Sequence, residues 1–415
     1  MSDERIKTGL SGAPRRFREL YGEGEIAALR APARINILGE HVDYVSYLRT
    51  ASLPFGSQEH EMRMLYRPAA AGVEERVRGA STLERFPPFE ITVGEASLGA
   101  GVVSGASKPA WDSLVFSRPA PPPHWGNYVQ GAVAFAHWKY GGRVKRGFDF
   151  LIESSVPPQS GASSSSALVS LAGAAIRAVN GIDYDLAELA RDSSQAEWFM
   201  GTRGGALDHT AICLARRGHA VKISHSDGRA EQIPLPDTGY RWITFFTHEA
   251  DKGRGVMLEY NERAAVSRLL IPAMSVDGSI QSLPEAVTLE EVARGRPRVF
   301  EECVRVFPAL TSERMSRPIK VRDRARHHAG EVARVSSAAD ILTAGSARAD
   351  EAMRRLGRLI NETHASLRDL YEVSTPDVER LIEVLDSDPQ VYGARLMGGG
   401  FGGNVLALTT DENTD

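Results

Sequence analysis

The stretch "ARINILGEHVDYVSYLRTASLP", residues 33–54, decides how this chain is read. From Ala33 to Leu38 its residues alternate as in a half-buried strand, and Gly39 suits the turn that would end it. A strand closed by an ordinary polar turn accounts for that much. It accounts less well for Arg34, Glu40, His41 and Asp43, which place four groups able to bond hydroxyls or phosphate within ten positions.

The bulk composition narrows the classes. With 415 residues, 42 % of them hydrophobic and 25 % charged, the chain is long enough for two domains and ordinary for a globular protein. A formal charge of -4 gives no electrostatic case for nucleic acid or an anionic membrane as partner. The local run Arg322, Arg324 and Arg326, with the acid Asp323 among them, reads as a solvated helix face. Cys213 and Cys303 lie far apart in apolar or helical context, which supports neither a disulfide framework nor a zinc site. The first residues, "MSDERIKTGL", have no apolar core of a signal peptide, and no apolar run is long enough for a bilayer; the cytoplasm is the expected compartment.

Working outward along the chain, residues 55–124 are the least regular and read as a decorated insertion, with Ser117–Trp125 ("SRPAPPPHW") an extended connector. From Phe148 a strand, a serine-rich loop and a long helix follow; Leu168, Leu171, Ala172, Ala175, Ile176 and Val179 keep helical spacing up to Gly181. Asp185 and Glu188 form a capping-box-like start to a second helix reaching about Met200. Strands are expected near 219–224 and 241–247, helices near 254–270, 287–306, 321–342 and 348–362, and a β pattern again in "YGARLMGGGFGGNVLALTT". Clustered strands and helices argue an α+β fold in two domains, 1–217 and 218–415.

Three loops could carry chemistry. "SSVPPQSGASSSSAL" joins a strand to a helix N-terminus, where free N–H groups and small residues admit phosphate; a flexible serine linker is the alternative. Glu197 falls on the inward stripe of the second helix, so it needs either a Mg²⁺ ion or a buried cation as partner. In "GTRGGALDHTAICLA", Asp208 is either a helix N-cap or an acceptor for a hydroxyl proton in phosphoryl transfer. "MGGGFGGN", residues 397–404, has more glycine than a hairpin needs, which suggests backbone packed closely against a ligand or another loop.

Together these stretches resemble the GHMP kinases, and within them the galactokinase branch. "ARINILGEHVDY" looks like the galactokinase signature, "GASSSSAL" like the phosphate motif and "ARLMGGGFGGNV" like the third motif; "AEWFMGTRGGALDH", "LEYNERAA", "RARHHAGE" and "INETHASLRDLYEVSTPDVERL" follow the same order. The resemblance implies a two-domain GHMP-kinase-like fold with the active site between the domains, using ATP and Mg²⁺ to phosphorylate the anomeric hydroxyl of a free sugar, most simply galactose. It implies Asp208 as base and Arg34 facing the phosphate; Glu40, His41, Asp43, Gly205 and Tyr260 around the sugar; Ser160, Gly161, Ala162, Ser163, Ser164, Ser165 and Ser166 around the nucleotide; and Ser165 and Glu197 as metal ligands. The chain departs from the pattern at Gln159, at His209 and at Val45-Ser46-Tyr47. A kinase for arabinose, galacturonate or N-acetylgalactosamine, or a sugar sensor without turnover, are the alternative expectations.

Overall fold

The opening stretch is the end of a long strand: β1 runs Ala27–Asn36, and Gly39, at φ +87°, turns the chain as expected. The computed structural model describes residues 12–96, 98, 110–156, 161–236, 238–248, 253–275, 279–344 and 349–411. The chain divides into two units, one of Met1–Ala33, Ser57–Pro157 and Ser164–Gly201, the other of Arg34–Gly56, Pro158–Ser163 and Thr202–Asp415.

After β1 come β2 (Ala51–Ser52), β3 (Pro54–Pro68), β4 (Arg76–Ser81), β5 (Phe89–Thr92) and β6 (Phe148–Ser154). The sheet of the first unit has the order β1-β3-β6-β4-β5, with β4 parallel to β6 and antiparallel to β5. Residues 55–124 are therefore no insertion: they supply β3, β4 and β5. β3 hides from a periodicity reading because Glu59, Glu61 and Arg63 crowd its outer positions, while Met62, Met64 and Leu65 are buried. Helix Ala13–Tyr21 seats Phe17 against Leu65, Ala80 and Leu151. Helices Gly126–Tyr140, Ser164–Val179 and Leu186–Glu197 pack together. The second of these buries the predicted stripe from Leu168 to Ile176 and half-buries Val179, and Gly181 follows at φ +60°. Asp185 caps the third by accepting from the Glu188 N–H at 2.7 Å. The Glu188 carboxylate, however, turns to Lys139 and Tyr140, so the box is only half formed.

In the second unit, β2 pairs with β7 (His219–Ser224), which pairs with β8 (Ala230–Pro234); β9 (Arg241–His248), β10 (Val391–Met397) and β11 (Gly403–Thr409) form an antiparallel sheet of order β10-β11-β9. Helix Arg254–Ala265 continues through a π-helical turn, Val266–Leu270, into Ile271–Met274. The stretch expected as one helix over 287–306 is two, Leu289–Gly295 and Pro297–Val306, because a proline suits a first turn and not an interior. Helices Val321–Thr343 and Ala349–Asp369 are long, and Pro376–Asp386 was not foreseen. Ile37, Leu38 and Leu53 share one core with Val335, Ala338, Leu356 and Ile360. A second core gathers Leu367, Tyr371, Val378, Ile382, Leu396 and Val405.

The arginine run on Val321–Thr343 is not a uniformly solvated face. Arg326 is exposed, but Arg324 is buried, its Nη2 donating to Glu372 at 2.7 Å. Cys213 and Cys303 are free thiols. Among the described residues, no helix is long and apolar enough to cross a membrane.

Candidate active site

The polar end of β1 lies in the second unit and meets a helix from much later in the chain. Arg34 is 3 % exposed, and its Nε donates to Asp208 Oδ1 at 2.7 Å. Asp208 is the second residue of helix Leu207–Leu214, whose N-cap is Ala206, so its side chain is not the cap. Burial pushes the Asp208 carboxyl up, but Arg34 and the neighbouring Ser163 hydroxyl outweigh it and hold the pKa below the ordinary aspartate value. Asp208 is thus an ionised acceptor beside a fixed cation. Arg34 Nη1 is buried with no hydrogen-bond partner. Leaving such a donor unpaired costs about 1–3 kcal/mol, a cost that an incoming anionic oxygen would remove.

Glu40, His41 and Asp43 follow on the same loop, and each is differently employed. Glu40 Oε1 accepts from Arg395 Nη2 at 3.0 Å and from the Gly398 N–H at 2.8 Å, which ties the signature loop to the glycine loop. Arg395 is fully buried and also donates to the carbonyls of Asn36, Ile37 and Leu396. The backbone N–H groups of Gly39 and Glu40 donate to Glu331 at 2.7 and 3.3 Å. His41 holds a left-handed backbone, φ +58°, unusual for a residue with a side chain. Its Nδ1 lies 2.7 Å from the Tyr44 hydroxyl, and its Nε2 is buried without a hydrogen-bond partner. Burial pushes the Asp43 carboxyl up to about 6, assisted by Asp208 and opposed by the Leu207 N–H and Arg268.

Gly205 is explained by proximity: a Cβ there would lie 2.3 Å from the Asp43 carbonyl oxygen and 2.5 Å from its Oδ2. The Tyr260 ring is 5.9 Å from His41 and 5.8 Å from Tyr44, centroid to centroid. These expected sugar-facing residues therefore converge within one unit. The sequence reading missed Arg268, which donates to the Gly204 carbonyl at 3.0 Å and acts electrostatically on Asp43 and Tyr260. Its place about two turns beyond Tyr260 was a usable signal. A π-helical turn there, frequent at functional sites, was not legible.

Gln159 and Ser160 lie outside the described residues. Gly161, at φ +81°, packs on the third motif: a Cβ there would be 2.8 Å from the Met397 carbonyl oxygen, and one on Gly398 would be 2.9 Å from that of Gly161. The excess glycine thus serves loop-on-loop contact. The Ala162 carbonyl accepts from the Arg34 N–H at 3.2 Å, and Ser163 stands at φ +61°.

In the first unit, Ser164, Ser165 and Ser166 open their helix. Ser166 Oγ donates to Glu197 Oε2 at 2.9 Å, while Ser165 bonds the Tyr128 hydroxyl. Glu197 thus has a serine hydroxyl among its partners. Among the described residues no group of three or more His, Cys, Asp or Glu could hold a metal ion. A lone carboxylate beside serine hydroxyls at a helix N-terminus nevertheless fits Mg²⁺, which takes one or two carboxylates and fills its shell with phosphate oxygens and water.

Comparison with known proteins agrees with this layout. Residues 15–49 match the galactokinase galactose-binding signature, residues 127–216 the GHMP kinases N terminal domain and residues 346–415 the GHMP kinases C terminal family. The galactokinase of Canis lupus familiaris is 30 % identical over 402 residues, covering 96 % of this chain and 88 % of that protein. The galactokinase of Lactococcus lactis subsp. lactis is 28 % identical over 413 residues, 98 % of this chain and 89 % of that protein. In fold, the crystal structure of Lactococcus lactis galactokinase complexed with galactose matches with a TM-score of 0.72 at 24 % identity, covering 97 % of this chain and 91 % of that one. A Methanococcus jannaschii mevalonate kinase structure matches with a TM-score of 0.55 at 14 % identity, covering 94 % and 92 %. The chain belongs to the galactokinase family of the GHMP kinases, and is an ATP-using sugar kinase.

Proposed function

We propose that this chain transfers the γ-phosphoryl group of ATP to the anomeric hydroxyl of free galactose, giving galactose 1-phosphate and ADP. The observation that carries the reading is the Arg34–Asp208 pair at 2.7 Å with Arg34 Nη1 unpartnered. Phosphoryl transfer asks mainly for alignment and charge stabilisation. The Asp208 carboxylate accepts the anomeric proton while that oxygen bonds the γ-phosphorus and the bond from phosphorus to the bridging oxygen of ADP breaks. Arg34 holds Asp208 in place through Nε and offers Nη1 to a non-bridging phosphate oxygen. Glu40, His41, Asp43 and Tyr260 bond the sugar hydroxyls, and Gly205 keeps the approach to Asp43 open.

The serine loop from Ser160 to Ser166 cradles the nucleotide phosphates. Ser165 and Glu197 would hold Mg²⁺, which when bound neutralises phosphate charge. The substrates are small molecules, and a formal charge of -4 gives no electrostatic case for nucleic acid or an anionic membrane as partner.

The test is ADP release with ATP and Mg²⁺ across galactose, glucose, arabinose, galacturonate and N-acetylgalactosamine. Galactose should give the highest kcat/KM, at least about a hundredfold above glucose, because unpaired buried groups in the site penalise the wrong epimer. Chelation of the metal should stop turnover. A higher kcat/KM for another sugar overturns the galactose assignment, and no ADP release with any sugar overturns the enzyme reading.

A further inference from the structure

The two segments that flank Asp43 are tied to one residue of the π-helical turn. Arg268 is half-buried within Val266–Leu270. Its carbonyl accepts from the hydroxyl of Ser46, on the signature loop just after Asp43, at 3.3 Å. Its Nη2 donates to the Gly204 carbonyl at 3.0 Å. Both directions are fixed, because a carbonyl oxygen only accepts and a guanidinium only donates.

What Arg268 holds is the segment that touches the carboxylate. Gly205 lies so near Asp43 that a Cβ would fall 2.5 Å from Oδ2, and the Leu207 N–H donates to Oδ2 at 3.3 Å. Gly204 also meets Tyr260, whose hydroxyl would stand 3.3 Å from a Cβ there. Tyr260 and Arg268 thus reach one glycine from the same helical arm. At 3.6 residues per turn an uninterrupted α-helix would leave position 268 rotated by about 80° from Tyr260. The wider π turn slows that rotation and returns Arg268 toward the same side.

The charges are arranged to match. Asp43 faces Glu40 and Tyr44 on its own loop, Arg34 from β1, Asp208 from helix Leu207–Leu214, and Tyr260 and Arg268 from the helical arm. Of the two cations, Arg34 is bonded to Asp208. Arg268 is the one that opposes the rise of the Asp43 carboxyl caused by burial and Asp208.

We infer that Arg268 is a positioning residue for the sugar: by holding Gly204 it sets Gly205 and the Leu207 N–H against Asp43, and its guanidinium is the countercharge of that carboxylate. With Arg268 in place, Asp43 offers two acceptor oxygens to sugar hydroxyls at neutral pH. Without it, burial and Asp208 act on Asp43 with less opposition, the carboxylate takes a proton more readily, and the segment that seats it is released. That the ligand is a sugar rests on the function proposed above. The link from Arg268 to Asp43 does not.

The experiment reads the two separately. In the full chain without sugar, labelled with ¹³C at the aspartate carboxyls, the Asp43 signal, assigned through Asp43→Asn, should titrate at about 6. Arg268→Gln, with Arg268→Met as a second neutral variant, should raise that midpoint by about one pH unit, the low end for loss of a neighbouring opposite charge. Arg268→Lys keeps the charge and should restore the midpoint of the unaltered protein. The inflection of kcat/KM for galactose should move with the midpoint in each variant. At neutral pH the neutral variants should raise the KM about tenfold, the scale of one hydrogen bond, with kcat little changed. In the Asp43→Asn background Arg268→Gln should cost less than it does alone, since both changes act on one carboxylate. Thermal unfolding establishes that each variant is folded. A midpoint that stays in place when the charge is removed, a lysine variant that shifts as far as the neutral ones, or KM effects that simply add would each overturn the inference. If no sugar is turned over, the titration of the free protein still decides it.

Discussion

Lowering the pH through 6 should weaken sugar use, because one carboxylate of the site titrates there. Asp43 is pushed up to about 6, first by burial and then by Asp208. Its protonated form no longer offers both oxygens to sugar hydroxyls, so the competent fraction of free protein follows Asp43 ionisation. With that pKa, kcat/KM for galactose should fall about tenfold from pH 7 to pH 5, roughly one decade per pH unit below the inflection.

The effect of Asp43 on stability has the opposite sign. Because the folded pKa of Asp43 exceeds the ordinary 3.8, the native state holds more protons between the two values, and this group's contribution to stability rises as the pH falls through that window. Asp208 is depressed, so the stability it adds is lost only below the ordinary aspartate range. His41, His327 and His328 have lowered pKa values, so they stay neutral in the fold while the unfolded chain takes up protons, and the stability they allow falls as the pH drops below the ordinary histidine value. The assay is initial-rate kinetics under limiting galactose from pH 5 to 8, with thermal unfolding at each pH, on the unaltered protein and on Asp43→Asn. The variant should be slow but flat across the same interval. An inflection near 6 that persists in Asp43→Asn, or a fall in rate that tracks unfolding, refutes the assignment.

Asp208→Asn keeps an oxygen in place for Arg34 Nε but cannot take a proton, so turnover should drop roughly 10²–10⁴-fold with galactose affinity within about tenfold. Single-turnover kinetics and calorimetric titration separate the two, and near-normal turnover would exclude Asp208 as base. Gly205→Ala sets a methyl 2.3 Å from the Asp43 carbonyl oxygen, so backbone must move. The KM for galactose should rise about tenfold or more, since displacing a positioning contact by a fraction of an ångström is felt on that scale. An unchanged KM would mean that the loop yields without moving Asp43.

How much of the fold could be read in advance follows from where the polar residues stand. The helix Ser164–Val179 and strands β10 and β11 bury nearly continuous apolar faces, and each was legible. β3 was not, because its outer positions carry charge; β8 was not, because among its five residues Ile233 alone is buried. Arg324 was assigned to solvent with its neighbours although Glu372 and the Tyr371 ring hold it inside, a partnership that no local pattern encodes.

The site divides in the same way. The groups proposed to meet the ligand are concentrated in short motifs, so Arg34, Glu40, His41 and Asp43 could be named from one loop. What holds them comes from far away: Asp208 is 174 residues from Arg34, Glu331 is 292 from Gly39, and Arg395 is 355 from Glu40. Seen along the sequence, Glu331 and His327 are unremarkable positions on a long helix, yet both are fully buried and bond the backbone of the signature loop. Glu40 shows why membership of a motif is not the same as contact with substrate. Its Oε1 is committed to Arg395 and the Gly398 N–H, which leaves Oε2 for a hydroxyl. A change at Glu40 would therefore loosen the junction between two loops as well as remove an acceptor, and its effect on sugar affinity alone would overstate what the carboxylate gives to the ligand.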